Sequence, residues 1–140
     1  RHAWPPKPPP RRSHWPDRAA AHASLQGRGI FKGWSDEALQ AYVEHAIGDC
    51  GGAVVLKCRP SREVEIFSSF PERMWTQLGR IRTPTRILYG EQTYPFVPHS
   101  VRRLAALNAS VTAQQMPGGH CFMQEAPALA AEQVMAFLTP

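Results

Sequence analysis

The stretch TRILYG, residues 85–90, decides the fold class of this chain. It is a β-branched and apolar run that ends at a glycine, which is typical of a strand buried on both faces of a parallel sheet. Residues 98–108 follow with helical spacing, SVTAQQM at 110–116 is a second strand, and 126–138 is a terminal helix. The order predicts a right-handed crossover between two parallel strands. Because two strands leave faces and edges uncovered, we expect the sheet to extend beyond residues 85–89.

The chain before residue 80 is mostly helical by its pattern. Asp17 is a predicted N-cap for an alanine-rich helix within residues 17–29, and Ser35 is a predicted N-cap for a second helix that ends at Gly48. The second helix has one apolar face, formed by Leu39, Tyr42, Val43, Ala46 and Ile47. Residues 53–58 then predict a short strand, and residues 61–70 predict another amphipathic helix.

Composition limits the class of protein. The length of 140 residues suits one compact domain, and 43% hydrophobic with 19% charged residues argues against wholesale disorder. No apolar run is long enough to span a bilayer, so we expect no membrane partner. The three cysteines lack C-x-x-C spacing, which predicts reduced thiols and a cytoplasmic setting. No metal-ligand spacing and no G-x-G-x-x-G occur, so we expect neither a metal nor a cofactor.

The net charge of +5 is concentrated near the start of the sequence. Residues 1–34 hold seven of the 16 basic residues and a single acid, Asp17, whereas the remainder is nearly balanced. Nucleic acid is therefore not a favoured partner, because such domains usually carry their basic patch on folded elements. Residues 1–16 contain six prolines, which predicts an extended linker. The alternative is an interaction module, since P-x-x-P is also an SH3-type ligand pattern.

His120 is the candidate functional residue of the second half. It follows two glycines in MPGGHCFMQEAP, residues 116–127, just past the end of the predicted strand 110–116. Functional groups in open α/β sheets collect at the carboxyl ends of the strands, and imidazole exchanges protons near neutral pH. The alternative is a loop histidine that hydrogen-bonds to local backbone. The adjacent Cys121 is interpreted as a small filler, because neighbouring side chains in an extended segment point apart.

The order of these elements resembles the C-terminal half of an α/β-hydrolase. Helical segments precede IRTPTRILYG (81–90) and LYGEQ, and then come a helix, a strand, GGH and a closing helix. The resemblance implies an α/β fold in which two parallel strands with flanking helices form the C-terminal part of the hydrolase sheet, preceded by a mainly helical cap. The implied domains are a proline-rich linker over 1–16, a helical cap over 17–80 and the C-terminal portion of the core over 81–140.

The resemblance also implies a Ser-His-acid triad in which His120 is the general base of a two-step acyl transfer. The nucleophile elbow G-x-S-x-G does not occur in this sequence, so the serine and the oxyanion hole are expected upstream of Arg1. The chain is thus expected to be inactive alone and to need the missing N-terminal half of the core as its partner. Its start at Arg1 instead of Met also suggests a fragment or a processed product.

The triad acid has two candidate sources. Related hydrolases often carry it three residues after the strand-closing glycine, where this chain has Thr93. Glu91 is a nearby carboxylate and a candidate partner of His120, with an ordinary solvated glutamate as its alternative. In some α/β-hydrolases the acid comes from the strand before the cap, which would lie upstream of Arg1, and we favour this source over Glu91. Glu125 is interpreted as a carboxylate that interacts with a helix dipole.

Phe122 and Met123 are predicted to wall the substrate site, because they directly follow the histidine loop. Trp34 and Phe67 are predicted to contribute from the cap, although aromatic residues at helical spacing also form a cap's own core. Further apolar cap candidates are Ile30, Phe31, Tyr42, Ile66 and Phe70. The predicted substrate is a small apolar ester or related acyl compound, with C–C hydrolysis and epoxide opening left open. The competing hypothesis is a non-catalytic binding or scaffold protein, which Thr93 favours.

Overall fold

The computed structural model describes residues 11–69 and 72–139. Its strands are β1 (His14–Trp15), β2 (Ile47–Cys50), β3 (Ala53–Leu56), β4 (Thr85–Gln92) and β5 (Val111–Gly119). Its α-helices are α1 (Arg18–Leu25), α2 (Asp36–Ala46), α3 (Pro60–Ser68), α4 (Met74–Leu78), α5 (Phe96–Leu107), α6 (Phe122–Glu125) and α7 (Pro127–Leu138). Most of the predicted linker and the candidate cap residue Phe70 lie outside the described residues.

A small antiparallel sheet in the order β1-β3-β2 belongs to the first half of the chain. Sequence analysis predicted only β3. Ile47 was assigned to the preceding helix, but it begins β2 and pairs with Leu56. Gly51 and Gly52 join β2 to β3 with φ values of 55° and 82°, as a two-residue hairpin turn requires. The region predicted as the cap, residues 17–80, which we refer to below as the cap, therefore combines helices with a short sheet, because the glycine pair turns the chain back on itself.

The first hydrophobic core lies between this sheet and helices α1 and α2. The buried members are Trp15, Ala21, Phe31, Leu39, Val43, Ile47, Val54 and Leu56. Both predicted N-caps form, because Asp17 Oδ1 accepts from Ala20 N at 2.7 Å and Ser35 Oγ accepts from Ala38 N at 3.2 Å. Trp15 is only 2% exposed, so this core already includes a residue of the segment predicted to be a linker.

An ion pair connects α1 with β2. Arg18 Nη1 lies 2.6 Å from Asp49 Oδ1, and Arg18 also donates to the Ile47 carbonyl at 3.3 Å. The hydrogen bond from Arg18, together with its positive charge, holds the pKa of Asp49 below the ordinary value. The pair links the start of the first helix to the edge of the small sheet.

The second half forms the predicted parallel strand pair. β4 and β5 pair in parallel from Thr85↔Val111 to Gly90↔Met116, and α5 makes the crossover. This confirms the predicted α/β arrangement. A second core cluster contains Met116, Phe122 and Ala130, with Leu88 and Leu129 packed against it. Of the eight residues of β4, Gly90 is the buried one. The strand is therefore more exposed than the sequence analysis predicted, which expected burial on both faces.

Asn108 ends α5, as predicted, and is a buried polar residue with its hydrogen bonds satisfied. Its Nδ2 donates to the carbonyls of Leu78 and Ile81 at 2.9 and 3.0 Å, and its Oδ1 accepts from Ser110 N at 2.9 Å. One side chain thus joins the segment after α4 to the beginning of β5. In the part of the chain that the structure describes, no helix combines the length and apolarity needed to cross a bilayer.

Gly90 lets the two parallel strands approach closely at their carboxyl ends. A Cβ atom at this position would lie 1.8 Å from the Gly119 carbonyl oxygen. A methyl group cannot fit there unless the backbone of β4 moves away from β5.

We expect Gly90→Ala to lower the free energy of unfolding by about 3 kcal/mol, because the strands must separate to admit the methyl group. Urea unfolding followed by circular dichroism measures the loss. The matched control is Gly48→Ala in β2, where a Cβ would meet only Lys57 Cγ at 3.5 Å. We expect the control to change stability by less than about 0.5 kcal/mol. Equal effects of the two changes would contradict the argument.

Candidate active site around His120

The ends of the two parallel strands bring Thr93 and His120 together. Thr93 directly follows β4 and His120 directly follows β5. Parallel strands end at the same edge of the sheet, which is where functional groups collect in α/β folds. Thr93 Oγ1 lies 2.7 Å from His120 Nδ1, a hydrogen bond between residues 27 positions apart. The imidazole therefore has a fixed partner on one nitrogen.

Tyr94 packs beside the histidine. The two ring centroids are 4.8 Å apart with a tilt of 60° between the planes, and Tyr94 stacks in parallel on Phe96 at 5.7 Å. Both aromatic residues are more than half exposed. Thr93 and Tyr94 together fix the ring of an exposed histidine, and neither contact comes from its own loop.

A cavity of about 450 Å³ opens beside the histidine, a volume within the usual range for small-molecule sites. Four segments line it: the turn after α1, the exit of β4, the exit of β5 and the end of α6. The lining residues are Gly29, Ile30, Lys32, Gly33, Gln92, Thr93, Tyr94, Pro95, Gly119, His120, Cys121 and Glu125. The cap and the parallel sheet thus meet around the imidazole.

Glu125 holds the backbone of the histidine loop. It is the last residue of α6, and its Oε2 accepts a hydrogen bond from Gly119 N at 2.8 Å. The carboxylate fills the space next to both glycines, where a Cβ at Gly118 or Gly119 would lie 2.6 or 2.5 Å from its oxygens. The carboxylate thus turns back to the strand end, a contact that the interpretation of Glu125 as a helix-dipole partner did not include.

The cap is attached to the core next to this carboxylate. Ser35 N donates to the Gln124 carbonyl at 2.9 Å, so the start of α2 is joined to α6. Gly33 faces the side chain of Glu125, where a Cβ would lie 3.4 Å from Glu125 Cδ. These contacts place the turn before α2 over the cavity that His120 lines.

Glu91, the candidate acid within this chain, is exposed near the end of β4 and does not line the cavity. In residues 11–69 and 72–139, no hydrogen bond or ion pair joins Glu91 to His120. The side chain that contacts Nδ1 is the neutral Thr93. The two residues differ in position, because Thr93 is the first residue after β4 and Glu91 is still within the strand.

The predicted substrate-binding residues are not brought together at the cavity. Phe122 is 5% exposed and packs in the core with Met116, so it supports the histidine loop from below. Met123 is more than half exposed but does not line the cavity. Helical geometry explains the difference, since α6 begins at Phe122 and directs consecutive side chains to different sides.

The cap aromatic residues mainly form the core of the cap. Trp34 packs edge-on against Phe31 and Tyr42, with centroid distances of 4.9 and 5.9 Å. Phe67 is exposed on α3, away from the lining of the cavity. Ile30 is the predicted cap residue that does line it. Sequence analysis missed Tyr94 and Lys32 at this site, although Tyr94 could have been inferred from its place after Thr93.

Comparison with known proteins finds the fold only through structure. No protein family and no curated protein sequence matches the chain. Several solved structures are similar to it, and three of them match over most of its length. E-2-(acetamidomethylene)succinate hydrolase matches 90% of the chain with a TM-score of 0.74 and 15% identity. A thioesterase domain from the curacin biosynthetic pathway matches 96% of the chain with a TM-score of 0.68 and 18% identity. The peroxisomal α/β-hydrolase Lpx1 from Saccharomyces cerevisiae matches 90% of the chain with a TM-score of 0.76 and 16% identity.

These similarities show that the chain has the fold of part of an α/β-hydrolase. The chain covers 47%, 47% and 36% of the three solved chains, so it spans less than half the length of the structures that it matches. The predicted fold class and the predicted resemblance are both confirmed.

We expect Glu125→Ala to lower the free energy of unfolding by about 1.5 to 3 kcal/mol, since it removes a charged acceptor from a part-buried amide. The sharper readout is amide hydrogen exchange at Gly119, which should lose protection. Glu132→Ala on the exposed side of α7 is the control and should leave that amide protected. Unchanged exchange at Gly119 in the Glu125 variant would contradict its role.

Proposed function

We propose that this chain is the histidine-bearing part of an α/β-hydrolase-type enzyme, in which His120 acts as the general base for a serine supplied by a further part of the core. The supporting observation is the position of His120 at the carboxyl end of β5, next to a cavity that the cap covers. In this reaction the base takes the hydroxyl proton during attack on the acyl carbon and returns it to the leaving group.

The hydrogen bond at Nδ1 supports this role of the imidazole. A neutral histidine whose Nδ1–H donates to Thr93 Oγ1 carries its free lone pair on Nε2, which is the tautomer that a general base needs. In residues 11–69 and 72–139, Nε2 has no hydrogen-bond partner. Thr93 would therefore orient the base, while the acid that stabilises the imidazolium comes from the same further part of the core as the serine, our favoured source over Glu91.

We propose a small, apolar and uncharged substrate, such as a short-chain ester. Ile30, Tyr94 and Pro95 give the cavity apolar walls, and Lys32 and Glu125 supply one charge of each sign. A balanced lining gives no advantage to a charged ligand. Hydrolysis of a C–C bond or opening of an epoxide would use the same base, and product analysis separates these reactions from ester cleavage. The three cysteines are unpaired, which fits the cytoplasmic setting that we propose.

In the enzyme that contains the nucleophile, we expect His120→Ala to lower kcat for p-nitrophenyl butyrate by roughly 10³-fold or more, because serine would lose its base. The matched control is His99→Ala on the exposed surface of α5, which should retain nearly full activity. This chain alone should show no burst of p-nitrophenol. Normal turnover by the His120 variant would exclude the proposed reaction.

A non-catalytic binding or scaffold protein is the second candidate. It is favoured by one observation: Thr93, which carries no charge, occupies the place beside His120 Nδ1. Binding alone needs no proton acceptor on the imidazole, so it sets no requirement on the tautomer. A missing elbow serine together with a missing acid in the N-terminal half of the core would also favour binding.

The tautomer of His120 discriminates the two candidates and can be measured on this chain. For catalysis we expect the Nδ1–H form to dominate in the neutral ring, as seen from the ¹⁵N shifts of the two ring nitrogens. Thr93→Val should reduce that form, because it removes the hydroxyl acceptor at nearly constant volume. Thr112→Val, at another exposed threonine, is the control. Dominance of the Nε2–H form would instead mean that Thr93 donates to Nδ1, and would favour binding.

A further inference from the structure

A second cavity of about 340 Å³ shares Gly29 and Ile30 with the cavity that His120 lines. The shared residues belong to the short 3₁₀ turn Gly29–Phe31. Three arginines, Arg11, Arg12 and Arg28, line this second cavity, and among the residues that the structure describes no acidic side chain does. We refer to it below as the arginine cavity.

Two of the three guanidinium groups lack a charged partner. Arg11 forms an ion pair with Glu63 and a long hydrogen bond to Tyr42 Oη. Arg12 donates to the His14 carbonyl at 3.0 Å and lies 5.9 Å from the centre of the Trp15 ring. In the described parts of the chain, neither Arg12 nor Arg28 forms a salt bridge. The arginine cavity therefore carries uncompensated positive charge.

The arginine cavity also has apolar walls. Trp15, Phe31 and Leu56 line it and belong to the buried core of the cap. The indole N–H of Trp15 donates to Ser24 Oγ at 2.6 Å, and Ser24 also lines the cavity. An apolar surface beside guanidinium groups suits a ligand with one charged end and one hydrocarbon end.

We propose that the arginine cavity binds an amphipathic oxyanion, that is, a carboxylate or phosphate head on a short apolar chain. Arg12 and Arg28 hold the head, and the chain lies against Trp15, Phe31 and Leu56. Residues 1–10 contain no aspartate or glutamate, so that segment offers no side-chain carboxylate for this place. The binding does not depend on the reaction proposed for His120 and can be tested on this chain alone.

The experiment titrates the ¹⁵N-labelled chain with octanoate and, separately, with octyl phosphate. The indole signal of Trp15 reports binding, because that N–H lies at the edge of the arginine cavity. We expect saturable shifts with at least one of the two anions, and the stronger ligand identifies the preferred head group. Octanol lacks the anionic head, and acetate and inorganic phosphate lack the apolar chain. Each should bind at least about tenfold more weakly than the amphipathic anions.

Two charge-removing variants locate the site. Arg28→Gln should weaken binding about fivefold, as expected for the loss of one exposed ion pair. Its exposed side chain makes no hydrogen bond within the described residues, so the fold should persist and the amide spectrum checks this. Lys32→Gln removes a charge from the His120 cavity instead and should change the affinity by less than about twofold.

Three results would each overturn the proposal. The first is the absence of any Trp15 shift with both anions. The second is octanol binding as tightly as octanoate, which would show that the arginines are not used. The third is an equal or greater loss of affinity in the Lys32 variant, which would place the anion in the cavity of the histidine.

Discussion

Parallel pairing of β4 with β5 is the constraint on which the candidate site depends. It brings together at one sheet edge two residues 27 positions apart, so that a threonine hydroxyl contacts an imidazole nitrogen. The pairing persists to the strand ends because Gly90 leaves room for the Gly119 carbonyl. Next to Gly119, Gly118 near the end of β5 has a φ of 106°, a conformation that glycine adopts readily. Strand geometry, not a local motif, thus places the imidazole.

The cap is connected to the core where the site needs support. Glu125 holds the Gly119 amide, and its neighbour Gln124 accepts the hydrogen bond from Ser35 at the beginning of α2. Helix α6 therefore forms hydrogen bonds with two elements, the end of β5 and the cap. Phe122 at the start of this helix is buried in the core, which anchors the connection. Support of this kind fits the acid–base role that we propose for His120.

The sequence predicted the elements that have strong local signals. The run at 85–90 gave β4, the N-caps Asp17 and Ser35 gave α1 and α2, and the α/β-hydrolase resemblance gave the fold class. The small sheet was mostly missed, because β1 has only two residues and Ile47, the first residue of β2, fits the apolar face of the preceding helical pattern. Antiparallel pairing with β3 overrides that local preference, as tertiary contacts often do.

The site was harder to predict than the fold. His120 was predicted from its place after a strand, and Thr93 was singled out by the α/β-hydrolase resemblance as the position where related hydrolases often carry the acid. The directions of the side chains after His120 could not be predicted, because they depend on where a short helix begins: Phe122 turns inward although it lies two residues from His120. The contact of Glu125 could not be assigned from its position, since its hydrogen bond reaches back across six residues to the amide of Gly119 at the end of β5.

The turn Gly29–Phe31 forms a common wall, since Gly29 and Ile30 line both cavities. Any displacement of Ile30 by a molecule on one side changes the space on the other. Such thermodynamic coupling is reciprocal: if occupancy of the arginine cavity alters affinity beside His120, a ligand beside His120 alters affinity for the oxyanion by the same factor. The wall thus gives this small cap the means to make two binding equilibria interdependent.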